Sequence, residues 1–176
     1  MLVAIWGMAA LVIWVSRSAS PTPEKLKSYI ESHPIIAGLG DAGRARIIEK
    51  TAVQLNSLTF EQRRELRESG AVRGFFESLT PPERARFLDL TLPEGFRQVM
   101  SALNKMAPEK RQKLVQRVLD DLKKNAPQSA ERIHEDEVKK IVGQGVSSFY
   151  ENANADVKLD FAPVLEELQR NLQSPR

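Results

Sequence analysis

Hydrophobic positions fall into two regimes along the chain. Residues 1–15, MLVAIWGMAALVIWV, carry no charged or strongly polar side chain, and no later segment is so uniformly apolar. From Pro21 onward the apolar positions recur three or four residues apart, the spacing that lines one face of a helix. Thr22-Pro23-Glu24-Lys25 opens the first helix, because threonine can cap it and proline suits the first helical position. Leu26, Tyr29 and Ile30 then form an apolar face. His33-Pro34 ends it, since a residue before proline is driven out of the helical region. After the glycine-containing connection IIAGLGDAG, Asp41 is expected to cap a second helix, with Ile47, Ile48, Ala52 and Leu55 inward.

One phrase then recurs. Thr59 with Gln62, Thr80 with Glu83 and Thr91 with Glu94 each have capping-box spacing, and each threonine follows a leucine able to staple onto the new turn. Pro81 and Pro82 fall in a first turn, where a missing N–H is harmless. Met106-Ala107-Pro108-Glu109 marks a fourth start without the threonine. The repeated phrase is therefore helix-start chemistry rather than a catalytic signature. Its spacings of 21, 11 and 16 residues from Thr59 to Ala107 exclude a solenoid of fixed period.

The next helix is expected from Pro108 to about Lys124, with Leu114, Val115, Val118, Leu119 and Leu122 on one stripe. Asn125-Ala126-Pro127 breaks it. Another is expected from about Ser129 to Tyr150, with Ile133, Val138, Ile141, Val142, Val146 and Phe149 inward. Gly143 and Gly145 either weaken its middle or permit close packing. Past the polar turn ENANAD, a last helix carries Val164, Leu165, Leu168 and Leu172. No run alternates in the manner of a strand. The expected fold is all-α, an N-terminal single transmembrane helix followed by a compact array of short amphipathic helices. Residues 1–16 would be the anchor, 17–23 a linker and 24–176 the helical domain, with a sub-boundary near 125–128.

The anchor is expected from Leu2, Val3, Ile5, Trp6, Leu11, Val12, Ile13 and Trp14. A complete span usually needs about 20 apolar residues. With Met1, Ser16 and local bilayer thinning, this run can still reach across. Trp14 is placed for the headgroup belt. A cleaved signal core has the same length. Retention is favoured because no basic residue precedes the run and Pro21 follows the best small-residue site, Ser18-Ala19-Ser20. Arg17, Lys25 and Lys27 all follow it, which by the positive-inside rule points the bulk to the cytoplasm. Bacterial N-terminal apolar segments usually act as export signals, which points it outward. The expected location is the inner (plasma) membrane, single-pass, with the bulk periplasmic.

Composition narrows the chemistry. The 176 residues include 41% hydrophobic and 28% charged side chains, enough for a core. The absence of cysteine removes disulfides, thiol nucleophiles and cysteine-ligated metals. A formal charge of +3 is small, and cations interleave with acids, as in DDLKK at Asp120 to Lys124. No nucleic-acid partner is expected, although a membrane-tethered nucleic-acid binder is a third alternative. His33 precedes a proline and suits a capping or solvated role. His134, in Glu131-x-x-His134, has half the spacing of a carboxylate di-iron site, but no second such pair exists. No GxSxG elbow, phosphate-cradling loop or complete dinucleotide loop is present. No catalytic, cofactor-binding or metal residue is assigned and no cofactor is expected. The enzyme alternative is a hydrolase or metal-dependent site built from scattered acids and His134. Phe75, Phe76, Phe87 and Leu88 are either core or a ridge for a partner, flanked by Arg63, Arg64, Arg67, Arg84 and Arg86.

At LTFEQRREL and LTPPERARF the chain resembles the LTxxQ-motif family of small periplasmic helical proteins, which includes envelope-stress chaperones and metal-responsive regulators. Leu58, Thr59 and Gln62 match that motif, and Leu79 and Thr80 match with Glu83 in place of the glutamine. The resemblance implies an exported all-α protein that cradles unfolded or partner proteins without ATP. The chain departs from it in an N-terminus that looks retained and in prolines that interrupt long hairpins. The resulting expectation is a membrane-anchored helical protein-interaction module, an accessory or scaffold subunit or a tethered chaperone-like protein. Its partners would be the lipid bilayer and other proteins, with homo-oligomers possible.

Overall fold

The computed structural model describes residues 21–34, 39–124 and 135–173. The anchor segment 1–16, and with it Leu2, Val3, Ile5, Trp6, Leu11, Val12, Ile13 and Trp14, lies outside them. Among the described residues no helix is long and apolar enough to cross a membrane. The described chain is all-α, as its three-to-four-residue apolar spacing dictates. The helices are α1 (Pro23–Ser32), α2 (Asp41–Ser57), α3 (Phe60–Glu68), α4 (Ala71–Glu77), α5 (Pro81–Asn104), α6 (Pro108–Lys124), α7 (Glu135–Asn152) and α8 (Ala155–Gln173). They form two compact units, Met1–Phe87 and Leu88–Arg176. The expected sub-boundary near 125–128 lies outside the described residues.

In the first unit α1 packs against α2, α3 and α4. Leu26 and Ile30 of α1 meet Ile48, Ala52 and Leu55 of α2, together with Leu58, Leu66, Phe75, Leu79 and Phe87. Fully burying a leucine, isoleucine or phenylalanine side chain is worth about 1.5–3 kcal/mol. The caps set where these helices begin. Thr22 Oγ1 accepts from the Lys25 N–H at 3.3 Å, with Pro23 in the first turn. Thr59 and Gln62 complete a capping box, each side chain bonded to the other's backbone N–H. Asp41 does not cap α2. Gly40 holds that place and Asp41 is the first helical residue, where its charge still complements the positive end of the helix. Gly70 joins α3 to α4 at φ 71°, a left-handed conformation in which a Cβ is strained.

Thr91 is also not a helix start. It is a buried residue inside α5, which runs on through Pro93. An internal proline costs about 3 kcal/mol. Helix α5 buries Phe87 and Leu88 before the proline and Met100 and Leu103 after it, and that packing outweighs the local penalty. At 24 residues α5 is far longer than the short helices the capping phrase suggests.

In the second unit α6 packs along α8. Met100, Leu103, Phe149, Ala153 and Val157 form its core, with Leu114, Phe161 and Leu165 against them. Helices α7 and α8 are joined only by Ala153 and Asn154. Asn154 caps α8 by accepting from the Val157 N–H at 2.9 Å. The side chain of Asn104 clasps this turn, donating to Asn152 O and accepting from Asn154 N–H, both at 2.9 Å. Arg111 is 5% exposed and holds α6 to α8 through Asp160 at 2.5 Å.

Candidate functional site

An apolar cleft of about 270 Å³ opens in the second unit among α5, α7 and α8. Phe96 and Met100 reach it from α5, Ile141, Val142, Val146 and Phe149 from α7, and Phe161, Val164, Leu165 and Leu168 from α8. Each set follows helical periodicity, so each helix turns one continuous apolar stripe to the same hollow. Gly145 lets α5 approach: a Cβ there would stand 3.1 Å from the tip of the Phe96 ring. Gly143, one turn-half away, meets nothing within 4 Å, so only one of the two glycines is needed for packing. Phe149 and Phe161 face one another at 6.4 Å between ring centroids. Every side chain lining the cleft is apolar, so it offers no proton donor, base or anion hole. What it can do is bury hydrocarbon.

A second hollow, of about 480 Å³, lies in the first unit between α1 and α4 and is lined by Lys27, Glu31, Ser69, Gly70, Gly74 and Phe75 among others. Lys27 and Glu31 are themselves 3.9 Å apart across one helical turn, which leaves a mixed surface without a focused charge.

The expected partner-binding ridge is core. Phe75 is 4% exposed, Phe87 3% and Leu88 8%, while Phe76 is half-buried. Phe75 and Phe87 pack edge to face at 5.5 Å. The seven-residue α4 has one inward face, and burial of its aromatic residues satisfies it there. The flanking arginines largely serve the same unit. Arg63 donates to Asn56 Oδ1 at 3.0 Å, Arg84 to Leu79 O at 3.1 Å, and Arg86 pairs with Glu49. Arg84 also lies over the Phe76 ring at 5.6 Å.

His33 caps the end of α1, its Nδ1 3.0 Å from Tyr29 O and its ring stacked on Tyr29 at 4.3 Å. His134 lies outside the described residues. Among the described residues no group of three histidines or carboxylates is placed to hold a metal.

Among the described residues the most perturbed carboxyl is structural. Glu83 accepts two hydrogen bonds from the Arg44 guanidinium, each 2.7 Å, and those from Thr80 N–H and Oγ1 at 2.8 and 2.9 Å. The Arg44 bonds, ahead of those from Thr80, lower its pKa to about 2 against the opposing effect of burial. One residue thus closes the start of α5 and ties it to α2. Its double use was not visible in the sequence, where Glu83 reads only as a cap. Val157, fully buried, and Phe161 were legible, because stepping back from Val164 by three and seven residues reaches both. No protein-family model, curated protein or solved structure matches the chain.

Proposed function

We propose that this protein is a membrane-anchored helical module that binds other proteins, as an accessory or scaffold subunit or as a tethered chaperone-like protein. The apolar run of residues 1–15 is the anchor, in the inner (plasma) membrane, with the helical part periplasmic. The observation that carries the binding half of the reading is the cleft among α5, α7 and α8, whose lining is apolar throughout. A cleft of that chemistry favours the apolar face of a partner chain, and gains from each methylene buried by about 0.8 kcal/mol. Tethering supplies the rest: confinement to the membrane raises the effective concentration of the module beside partners held in the same bilayer. This arrangement needs no nucleotide and no covalent step, in keeping with the resemblance to periplasmic helical chaperones.

The test uses the intact protein, purified from membranes in mild detergent, beside a Val142→Ser, Leu168→Ser variant that makes the cleft polar. Proteins that travel with the native chain and are lost from the variant, at unchanged helical content by circular dichroism, support the reading. Identical co-purification by both forms would remove the cleft as the binding surface.

A further inference from the structure

Charge is distributed unevenly along the chain. Residues 105–117, KMAPEKRQKLVQR, contain five cations and one acid, a formal +4 against +3 for the whole protein, so the rest of the chain sums to −1. The structure divides those five cations. Arg111 turns inward to Asp160, while Lys105, Lys110, Lys113 and Arg117 are exposed. Among the described residues none of these four takes an ion-pair partner. Lys110, Lys113 and Arg117 are three and four residues apart, which aligns them on the outer face of α6 over about 10 Å. Buried Val115 lies on the opposite side of the helix, and half-buried Leu114 and Val118 border the stripe on the way round to it. Glu109 stands before the stripe, and Asp121 and Asp120, the latter accepting from Gln116 at 3.0 Å, stand after it.

We propose that the outer face of α6 is a docking surface for an anionic lipid bilayer. This deepens the reading of the chain as membrane-anchored by naming a second, electrostatic contact with the same membrane. Three exposed cations on one face of an amphipathic helix, none of them in an ion pair among the described residues, are the arrangement that anionic headgroups attract, each contributing a similar increment near the surface. The stripe is short and bounded by acids at both ends, which suits local contact with headgroups better than the extended phosphate track of a nucleic acid. Docking there lays α6 along the bilayer and limits the orientations open to the second unit.

The full chain is titrated with vesicles of phosphatidylcholine alone and of phosphatidylcholine with phosphatidylglycerol. The proposal predicts roughly 100-fold tighter association with the anionic vesicles, lost at high salt. Lys110→Glu, Lys113→Glu, Arg117→Glu removes at least tenfold of that preference. The milder Lys110→Gln, Lys113→Gln, Arg117→Gln removes part of it and serves if the charge-reversed form misfolds. Arg46→Glu with Arg73→Glu, exposed cations of the first unit, leaves it in place. Equal binding to both vesicles overturns the proposal while leaving the apolar anchor standing. Preference for anionic vesicles with no affinity for neutral ones overturns the anchor while leaving the stripe standing. A preference that persists in the α6 variants, or tighter binding to duplex DNA that the same substitutions abolish, also overturns it.

Discussion

Gly143 and Gly145 sit two residues apart on α7, and the sequence alone makes them equivalent. Their surroundings separate them. Gly143 faces open space, so Gly143→Ala gains helix propensity with no steric cost and is expected to stabilise the protein by about 1 kcal/mol in urea unfolding. At Gly145 the same gain is opposed by the Phe96 ring 3.1 Å from the new methyl. Gly145→Ala should therefore stabilise clearly less than Gly143→Ala, and a smaller residue at position 96 should close the gap. Equal effects of the two alanines would show that the close approach of α5 is not made through this glycine.

Glu83 gives the residue scale a pH dependence. Its carboxyl is held at about 2 by Arg44 and Thr80, below its usual 4.5, so the folded state prefers it ionised. Its contribution is complete above that usual value and is lost as pH falls through the window from 4.5 toward 2. Native stability should fall through that window, and Glu83→Gln should flatten the fall while lowering stability at neutral pH. A Glu83→Gln protein with the native slope between pH 4.5 and 2 would mean that other carboxyls carry the acid response.

At the scale of elements, caps were the most legible feature and also the most misleading one. Thr22 and Thr59 cap as their spacing implies, and Thr59→Ala should cost about 1 kcal/mol in thermal or urea unfolding. Thr91 has the same spacing and caps nothing, because the apolar residues on both sides of Pro93 find cores and keep α5 continuous. Local grammar fixes a helix start only where tertiary packing does not oppose it. Connections were less legible still. The clasp of Asn104 on the α7–α8 turn joins residues about fifty positions apart, and nothing in the local pattern marks it. Asn104→Ala should cost about 1 kcal/mol and speed amide exchange at Asn154, whose N–H loses its acceptor.

At the scale of the whole molecule, the helical class followed from spacing alone, and most residues of the cleft were already on inward stripes: Ile141, Val142, Val146, Phe149, Val164, Leu165 and Leu168. What spacing could not convey was that these stripes leave a hollow. Phe75 and Phe87 are instead buried in the core of the first unit, since whether an apolar residue is covered depends on the partners that distant segments supply. The proposed function joins that hollow to a membrane through residues 1–15, which must stay on the protein to hold it at the bilayer. The direct measurement is the intact mass of the protein recovered from carbonate-washed membranes. The expected result is a membrane-fraction protein whose mass includes residues 1–15. A chain beginning near Pro21 and recovered in the wash would contradict it.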